Sequence, residues 1–243
     1  LIGGDSLKQF QLIQTVGSVV VMIVMVVVWG VPAAPAVILY RCANEAFVSD
    51  HQWIDALYTG LSLASAFVVY MVCLLAFSSL LQFIIRVRVK EHSIFPLQSF
   101  VAIRWGFCGQ ISRCTRPVLQ HLVPSFLANI YFRISGATVG PGAQINTANI
   151  NDPGLITIGK DVVIGGAAVI NGHLFERGEL IFSPVNIGDN ALIGTGAMIQ
   201  PGVQIGAGAV IASQAVVPKY KVIPAGEVWG GIPARKIKDS SDR

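Results

Sequence analysis

Charge is what this chain has least of. Of its 243 residues only 12% are charged, while 53% are hydrophobic. An ordinary soluble domain carries about 25% charged residues, so the composition argues against a free-standing soluble globule. Acids are scarcer than bases, 13 against 17, for a net charge of +4. Histidine is sparse, and three of the four lie outside the C-terminal half of the chain. The four cysteines (Cys42, Cys73, Cys108 and Cys114) form no Cys-x-x-Cys pair. That removes a zinc ribbon and a thioredoxin-type motif, and leaves reduced, packed thiols. Cys42, beside an apolar run, has acylation as its alternative. No initiator methionine is present, so the chain reads as a piece of a longer protein.

What is there begins with two runs free of charge, from Lys8 to Arg41 and from Asp55 to Arg86. Each exceeds the roughly 20 residues that a spanning helix needs. The expectation is a transmembrane hairpin over residues 8–92, with Gly30, Pro32 and Pro35 marking a kink or break in the first span. Two buried core helices are the alternative, and the length of the runs speaks against it. The connecting loop holds Arg41 against Glu45, Asp50 and Asp55. Beyond the second run come Arg86, Arg88, Lys90, Arg104, Arg113, Arg116 and Arg133, against Glu91 alone. The positive-inside rule places that side in the cytoplasm. The basic cluster suits anionic lipid headgroups and is no argument for nucleic acid. Residues 93–133 mix Phe95, Phe100, Trp105 and Phe107 with Arg104 and Pro96, then carry apolar residues at helical spacing from Leu119 to Tyr131. They read as short amphipathic helices in an interfacial neck, or as a neck packed under the next domain.

From about Ile134 the pattern changes. Aliphatic residues stand six apart at Ile187, Ile193, Ile199, Ile205, Ile211, Val217 and Ile223, and earlier at Ile158, Ile164 and Ile170 and at Val139 and Ile145. Glycine often follows, and a small or β-branched residue stands four positions on, as at Ala168, Ala191, Ala197, Val203 and Ala209. Six fits neither the helical period of 3.6 nor the strand period of 2. It fits short strands joined by corners, three to a coil, with the aliphatic residue in a triangular core and glycine supplying unusual backbone angles. The fold expected for 134–243 is a left-handed parallel β-helix of hexapeptide repeats. The period breaks between Ile170 and Ile187, where the sequence must leave the coil as a loop. The loop begins at His173, the one histidine of this region. A neutral imidazole there suits general-base chemistry, or else caps a surface loop. Glu176 is the nearby acid that would orient it. With one histidine in the coil, a three-histidine metal site is excluded and no metal is expected.

The stretches ITIGKDVVIGGAAVINGH, PVNIGDNALIGTGAMIQPGVQIGAGAVIASQAVV and GGIPARKI resemble the hexapeptide-repeat acetyltransferases of the galactoside and maltose type. That resemblance makes His173 of Gly172-His173 the general base. It implies coenzyme A along the coils at Thr195, Ser213 and Lys219, an acceptor-side asparagine at Asn149 or Asn151, and a trimer. The closing Asn-Pro-Ala-Arg of the family stands here as Ile232-Pro233-Ala234-Arg235. A wider resemblance rests on KEHSIFPLQSFVAIRW, FLANIYFRISGATVGPGA, DPGLITIG and GHLFERG together with the two apolar runs. These are similar to the C-terminal membrane modules of polylysine-synthetase-like nonribosomal peptide synthetases. In that family an adenylation and a carrier domain precede tandem membrane and β-helix units, which are thought to join carrier-bound aminoacyl thioesters to an amine. The acid that usually follows Gly-His-x-Phe-Glu is Arg177 here. The resemblance implies a membrane-held transferase whose donor is a thioester of coenzyme A or of a carrier-bound phosphopantetheine, and whose acceptor is an amine or hydroxyl. Tandem sister units would take the place of a homotrimer. A non-catalytic scaffold or export unit docking a synthetase is the competing class. Residues 1–7, LIGGDSL, would be the tail of an upstream domain, either a carrier motif with Ser6 as its phosphopantetheine serine or one further hexapeptide, the second being favoured.

Overall fold

A computed structural model describes residues 4–47, 49–89 and 91–238. The chain divides into two compact units. One takes in 1–78 with 110–114, and the other 79–109 with 115–243.

The first unit is built on two helices. Helix α1 runs Gly4–Ala46 and contains Pro32 and Pro35. Helix α2 runs Gln52–Ile85. The expected break at the prolines does not occur: α1 continues through both, each proline removing one donor from a helix that is otherwise rich in apolar side chains. Gly4–Leu7 are the start of α1, so the favoured hexapeptide reading of that segment is not what they adopt; Leu1–Gly3 lie outside the described residues. Both α1 and α2 are long and apolar enough to cross a bilayer, with mean hydropathies of 2.4 and 2.3 over Gly17–Ala46 and Gln52–Ile85. Many large apolar side chains face outward on both, among them Ile23, Val26, Ile38, Leu57, Leu61 and Phe67. The hairpin end is tied by Tyr58, whose hydroxyl donates to the Ala43 carbonyl at 2.9 Å and whose ring meets Phe47 at 4.5 Å.

The second unit is a left-handed parallel β-helix with a helical and extended lead-in. Its coils have three faces. The first face stacks Thr138–Val139, Ile156–Ile158, Val185–Ile187, Gln204–Ile205 and Val222–Ile223. The second stacks Gln144–Ile145, Val163–Ile164, Leu192–Ile193, Val210–Ile211 and Val228–Gly230. The third stacks Ile150–Asn151, Val169–Asn171, Met198–Ile199 and Val216–Val217. All these pairings are parallel and stack aliphatic on aliphatic in the interior, Ile158 on Ile187 on Ile205 on Ile223 and Ile170 on Ile199 on Val217, until Trp229 covers Ile211 at the end of the second face. Ile158, Ile164, Ile170, Ile193, Ile199 and Ile211 are at most 1% exposed, as are Ala168, Ala197, Ala209 and Ala215 four positions on in the repeat.

The glycines do a different job from the one expected. The glycine after each aliphatic residue has no positive φ. A Cβ on Gly165 would lie 2.6 Å from the Thr195 nitrogen, and one on Gly188 would lie 2.7 Å from the Ala207 nitrogen. Close approach of the next coil's backbone is what requires glycine there. The left-handed backbone angle falls two positions later, where Asp161, Ala167, Asn190, Gln214 and Tyr220 adopt it as well as Gly196 and Gly208.

The neck is not a set of short amphipathic helices from residue 93. Ser93–Pro96 is a strand, followed by a 23-residue helix, α3 (Phe100–Leu122), and by α4 (Phe126–Ser135). Ser99 and Ser125 cap the two helices by accepting from the nitrogens of Ala102 and Ala128. Within the second unit the neck packs on the β-helix: Ala102, Leu155, Leu180 and Phe182 form a buried cluster, with Val87, Val89, Phe95, Val101 and Trp105 against it. The interruption after Ile170 is a hairpin of His173–Glu176 and Glu179–Phe182, and Ser93–Pro96 adds a third antiparallel strand to it.

Ile193 is fully buried in the stack and Leu192 faces outward. Replacing Ile193 by Ala is expected to destabilise the β-helix by about 2–5 kcal/mol. Leu192→Ala should stay within about 0.5 kcal/mol. Urea unfolding of the two variants, followed by tryptophan fluorescence, checks the difference.

Candidate active site

His173 sits where the chain leaves the third face. Its Nδ1 lies 2.5 Å from Oδ2 of Asp152. Asp152 belongs to the preceding coil, directly after Asn151, and has a left-handed backbone with φ of 59°. That conformation, which Asp tolerates better than most residues, opens the short turn Pro153–Leu155. The coil therefore bulges at the level of the hairpin. The other carboxylate oxygen, Oδ1, accepts from the Trp105 indole at 2.7 Å. Trp105 comes from α3, and its ring meets His173 edge-on at 4.6 Å and Phe175 at 5.1 Å. The imidazole is thus held by one carboxylate and walled by two aromatic rings. Gly172 makes the contact possible. A Cβ there would come 2.9 Å from Leu155 Cβ and 3.1 Å from Asp152 Cβ. Any side chain at 172 would push the two coils apart.

A second chain of contacts starts at Arg116 on α3. Its Nη2 donates to Asn151 Oδ1 at 2.8 Å, and Asn151 Nδ2 donates to Asn171 Oδ1 at 2.7 Å. Asn151 and Asn171 are register partners on the third face. Arginine has donors only, so it fixes which end of each amide faces which. The end left over is the NH₂ of Asn171, two residues before His173. Among the described residues no protein group accepts from it.

The other expected site residues fall as follows. Glu176 does not touch His173; it pairs with Lys219, both side chains being about half exposed. Its place at the far end of the hairpin strand takes it past His173 to Lys219 on the coil, and Asp152 holds the position it was expected to fill. Asn151 has both amide ends engaged, and the Asn149 backbone serves the ladder to Ile170. Thr195 and Ser213 are stacked on the turns that follow second-face strands, whereas His173 and Lys219 follow third-face strands. They occupy different edges of the triangular coil. Asp152, Trp105, Asn171 and Arg116 were not singled out from sequence. The irregular spacing Ile145, Ile150, Ile158 around Asp152-Pro153-Gly154 was the available sign. No group of metal-binding side chains occurs among the described residues.

Behind Asp152 lies a cavity of about 40 Å³, lined in part by Trp105, Cys108, Ser135, Arg86 and Phe182. Burial, and after it the Asp152 charge, pushes the Cys108 thiol up to about 11. Cys108 therefore carries no appreciable thiolate at neutral pH. Its alkylation by iodoacetamide should be slow at pH 8 and accelerate only as the pH approaches 11, as read by peptide mass spectrometry. Modification at pH 8 as fast as that of a free thiol would contradict this burial.

Residues 184–219 match the family model described as bacterial transferase hexapeptide (six repeats). Over 143 residues, 59% of this chain, the sequence is 26% identical to a delta-poly-L-ornithine synthetase of Acinetobacter baumannii. The match spans only 11% of that relative's length. Among solved structures, a galactoside acetyltransferase in complex with coenzyme A is 25% identical, with 62% of this chain and 88% of that one covered and a TM-score of 0.44. A maltose O-acetyltransferase from Clostridium difficile is 21% identical, with 64% and 100% covered and a TM-score of 0.43. Residues 184–219 carry hexapeptide repeats of the kind that the bacterial transferase model describes.

Proposed function

We propose that this chain is a membrane-held acyltransferase unit. It moves an acyl or aminoacyl group from a thioester of coenzyme A or of carrier-bound pantetheine to an amine or hydroxyl. The observation that carries the reading is the His173–Asp152 pair at the root of the hairpin. Asp152 accepts from Nδ1, which leaves the lone pair on Nε2. Nε2 takes the proton from the acceptor as its nitrogen or oxygen attacks the thioester carbonyl carbon. The C–S bond then breaks, and the departing sulfur takes the proton back from the imidazolium. Negative charge collects on the carbonyl oxygen in between. The Asn171 NH₂, oriented through Asn151 by the Arg116 cation, is a preorganised donor for it. Trp105 and Phe175 wall the imidazole and hold its plane.

The donor-side assignment of Thr195, Ser213 and Lys219 fits best with more than one copy of the β-helix. Thr195 and Ser213 line one edge of the coil and His173 another, so a thioester touching both sets would lie between neighbouring helices. A homotrimer or tandem sister units supply that neighbour. Lys219 would exchange Glu176 for a donor phosphate, a small cost for a half-exposed pair. The relative named a delta-poly-L-ornithine synthetase favours an amino-acid amine as acceptor, and the resemblance to synthetase membrane modules favours a carrier-bound aminoacyl donor. The apolar α1 and α2 favour a hairpin across the membrane, and the basic residues after α2 favour a cytoplasmic β-helix.

The test uses the whole chain in detergent, with acetyl-CoA or ornithinyl-pantetheine as donor, L-ornithine as acceptor and released thiol as the signal. His173→Ala should lower turnover by about 10²–10⁴, and Asp152→Asn by at least about 10² through loss of the correct tautomer. Asn171→Ala should lower kcat by about 10–10³ with KM nearly unchanged. Full activity of His173→Ala would remove His173 as the base, and no turnover by the unaltered chain would leave a scaffold as the reading. For sidedness, an impermeant maleimide should label Asp50→Cys on intact cells and Lys160→Cys only after lysis, in a cysteine-free background.

A further inference from the structure

A groove of about 430 Å³ lies along the first face of the β-helix, and neither His173 nor Asp152 lines it. Arg86, Arg88, Gly136, Thr138, Thr157 and Asn186 are among its lining residues, and none of the lining residues is acidic. The two guanidinium groups lie over the Phe83 ring, at 5.0 and 6.0 Å from its centre. Neither makes a hydrogen bond or ion pair among the described residues. The ten N–H donors of these two guanidinium groups have no protein acceptor among the described residues and are open to one from outside. The cradle is specific. The Arg86 guanidinium occupies the space where a Cβ of Gly136 would stand. Thr138, Thr157 and Asn186 are register neighbours on the exposed face, so two hydroxyls and an amide rise in a row beside the arginines. The adjoining cavity, which shares Arg86, holds the Ser135 hydroxyl, 2% exposed and without a partner. The nearby peptide carbonyls do not compete for these cations, because Arg104 already donates to the carbonyls of Ile85 and Arg86.

We propose that this groove binds the phosphodiester headgroup of an anionic, amine-free phospholipid such as phosphatidylglycerol. Paired arginines recognise phosphate oxygens in bidentate fashion. The hydroxyl and amide row suits a polyol headgroup. With no carboxylate in the lining, nothing is placed to receive the ammonium of choline or ethanolamine. The position selects a lipid over a soluble phosphate ester: Arg86 is the first charged residue after the long apolar run of α2, where a headgroup phosphate lies if that helix spans the bilayer. The inference rests on that membrane reading.

The experiment places the full chain in nanodiscs of phosphatidylcholine containing a minor fraction of phosphatidylglycerol. Co-purifying lipid is then counted by native mass spectrometry after release into detergent. The wild-type chain should retain phosphatidylglycerol several-fold above its share. Arg86→Gln with Arg88→Gln should bring retention down to that share. So should Asn186→Asp, an exposed substitution that sets a carboxylate in the groove without disturbing the core. Removing two charges elsewhere, Lys160→Gln with Lys238→Gln, should change nothing. Retention unaltered by the arginine pair overturns the proposal. So does displacement of the retained lipid by millimolar inorganic phosphate or pantetheine 4′-phosphate, which marks a soluble-ester site. Extraction of the wild-type chain from membranes by alkaline carbonate would instead defeat the membrane reading. A chain that stays in the membrane but shows no preference defeats this inference alone.

Discussion

Everything in the second unit depends on how closely one coil lies on the next. The backbones are at hydrogen-bonding distance along every face, for example Gly165 nitrogen to Ile193 oxygen at 2.7 Å and Gly194 nitrogen to Ile211 oxygen at 2.8 Å. Each ladder places like side chains on top of one another. The interior becomes columns of Ile and Val with alanine at the corners, and the burial of those columns holds the ladder in register. Because no coil buries its own aliphatic residue alone, the domain is stable only as a stack. A stack is also a precise ruler. Residues one coil apart are fixed relative to one another by several parallel strands, which is the kind of support a catalytic pair needs.

The same closeness creates the site. Asp152 reaches His173 only because Gly172 lets the two coils meet without a Cβ between them. The irregular turn at Pro153–Leu155 then supplies the one place where a carboxylate points back at the root of the hairpin. On the regular faces, by contrast, the outward side chains are spaced by whole coils and form ladders such as Thr138, Thr157, Asn186 and Gln204. Two kinds of surface result from one rule. Where the period holds, the face is a repetitive wall; where it fails, unlike groups are forced together.

The repeat was legible because its period matches nothing else, and the start of the loop was legible as the point where that period stops. His173 could be named for the same reason. Its partner could not. Glu176 is three residues away in sequence, but a strand carries it outward to Lys219. Asp152 is 21 residues back and in contact, because a coil returns the chain to the same corner. Trp105 and Arg116 were still less accessible, since they arrive from α3 and no local pattern says which side of a helix will meet a distant coil. The glycines were read correctly as positions and incorrectly as to cause. Six-residue spacing cannot tell a glycine needed for φ from one needed for clearance, and only the distance to the neighbouring backbone separates them.

The hairpin explains why the lead-in and the β-helix belong to one folding unit. A two-stranded hairpin is marginal by itself in water. Here its second strand, Glu179–Phe182, becomes the central strand by pairing with Ser93–Pro96, and Phe95 packs on Phe182 at 6.0 Å. The strand that completes the loop therefore comes from the segment directly after α2. Trp105, which fixes the second oxygen of Asp152, follows a few residues later on the capped start of α3. A β-helix deprived of residues 93–116 would keep its columns of isoleucine. It would lose the third strand under the hairpin, the indole on Asp152 and the cation that orients the two asparagines. The segment between α2 and the first coil is thus part of the site rather than a spacer, and the chemistry proposed for His173 belongs to the joined unit.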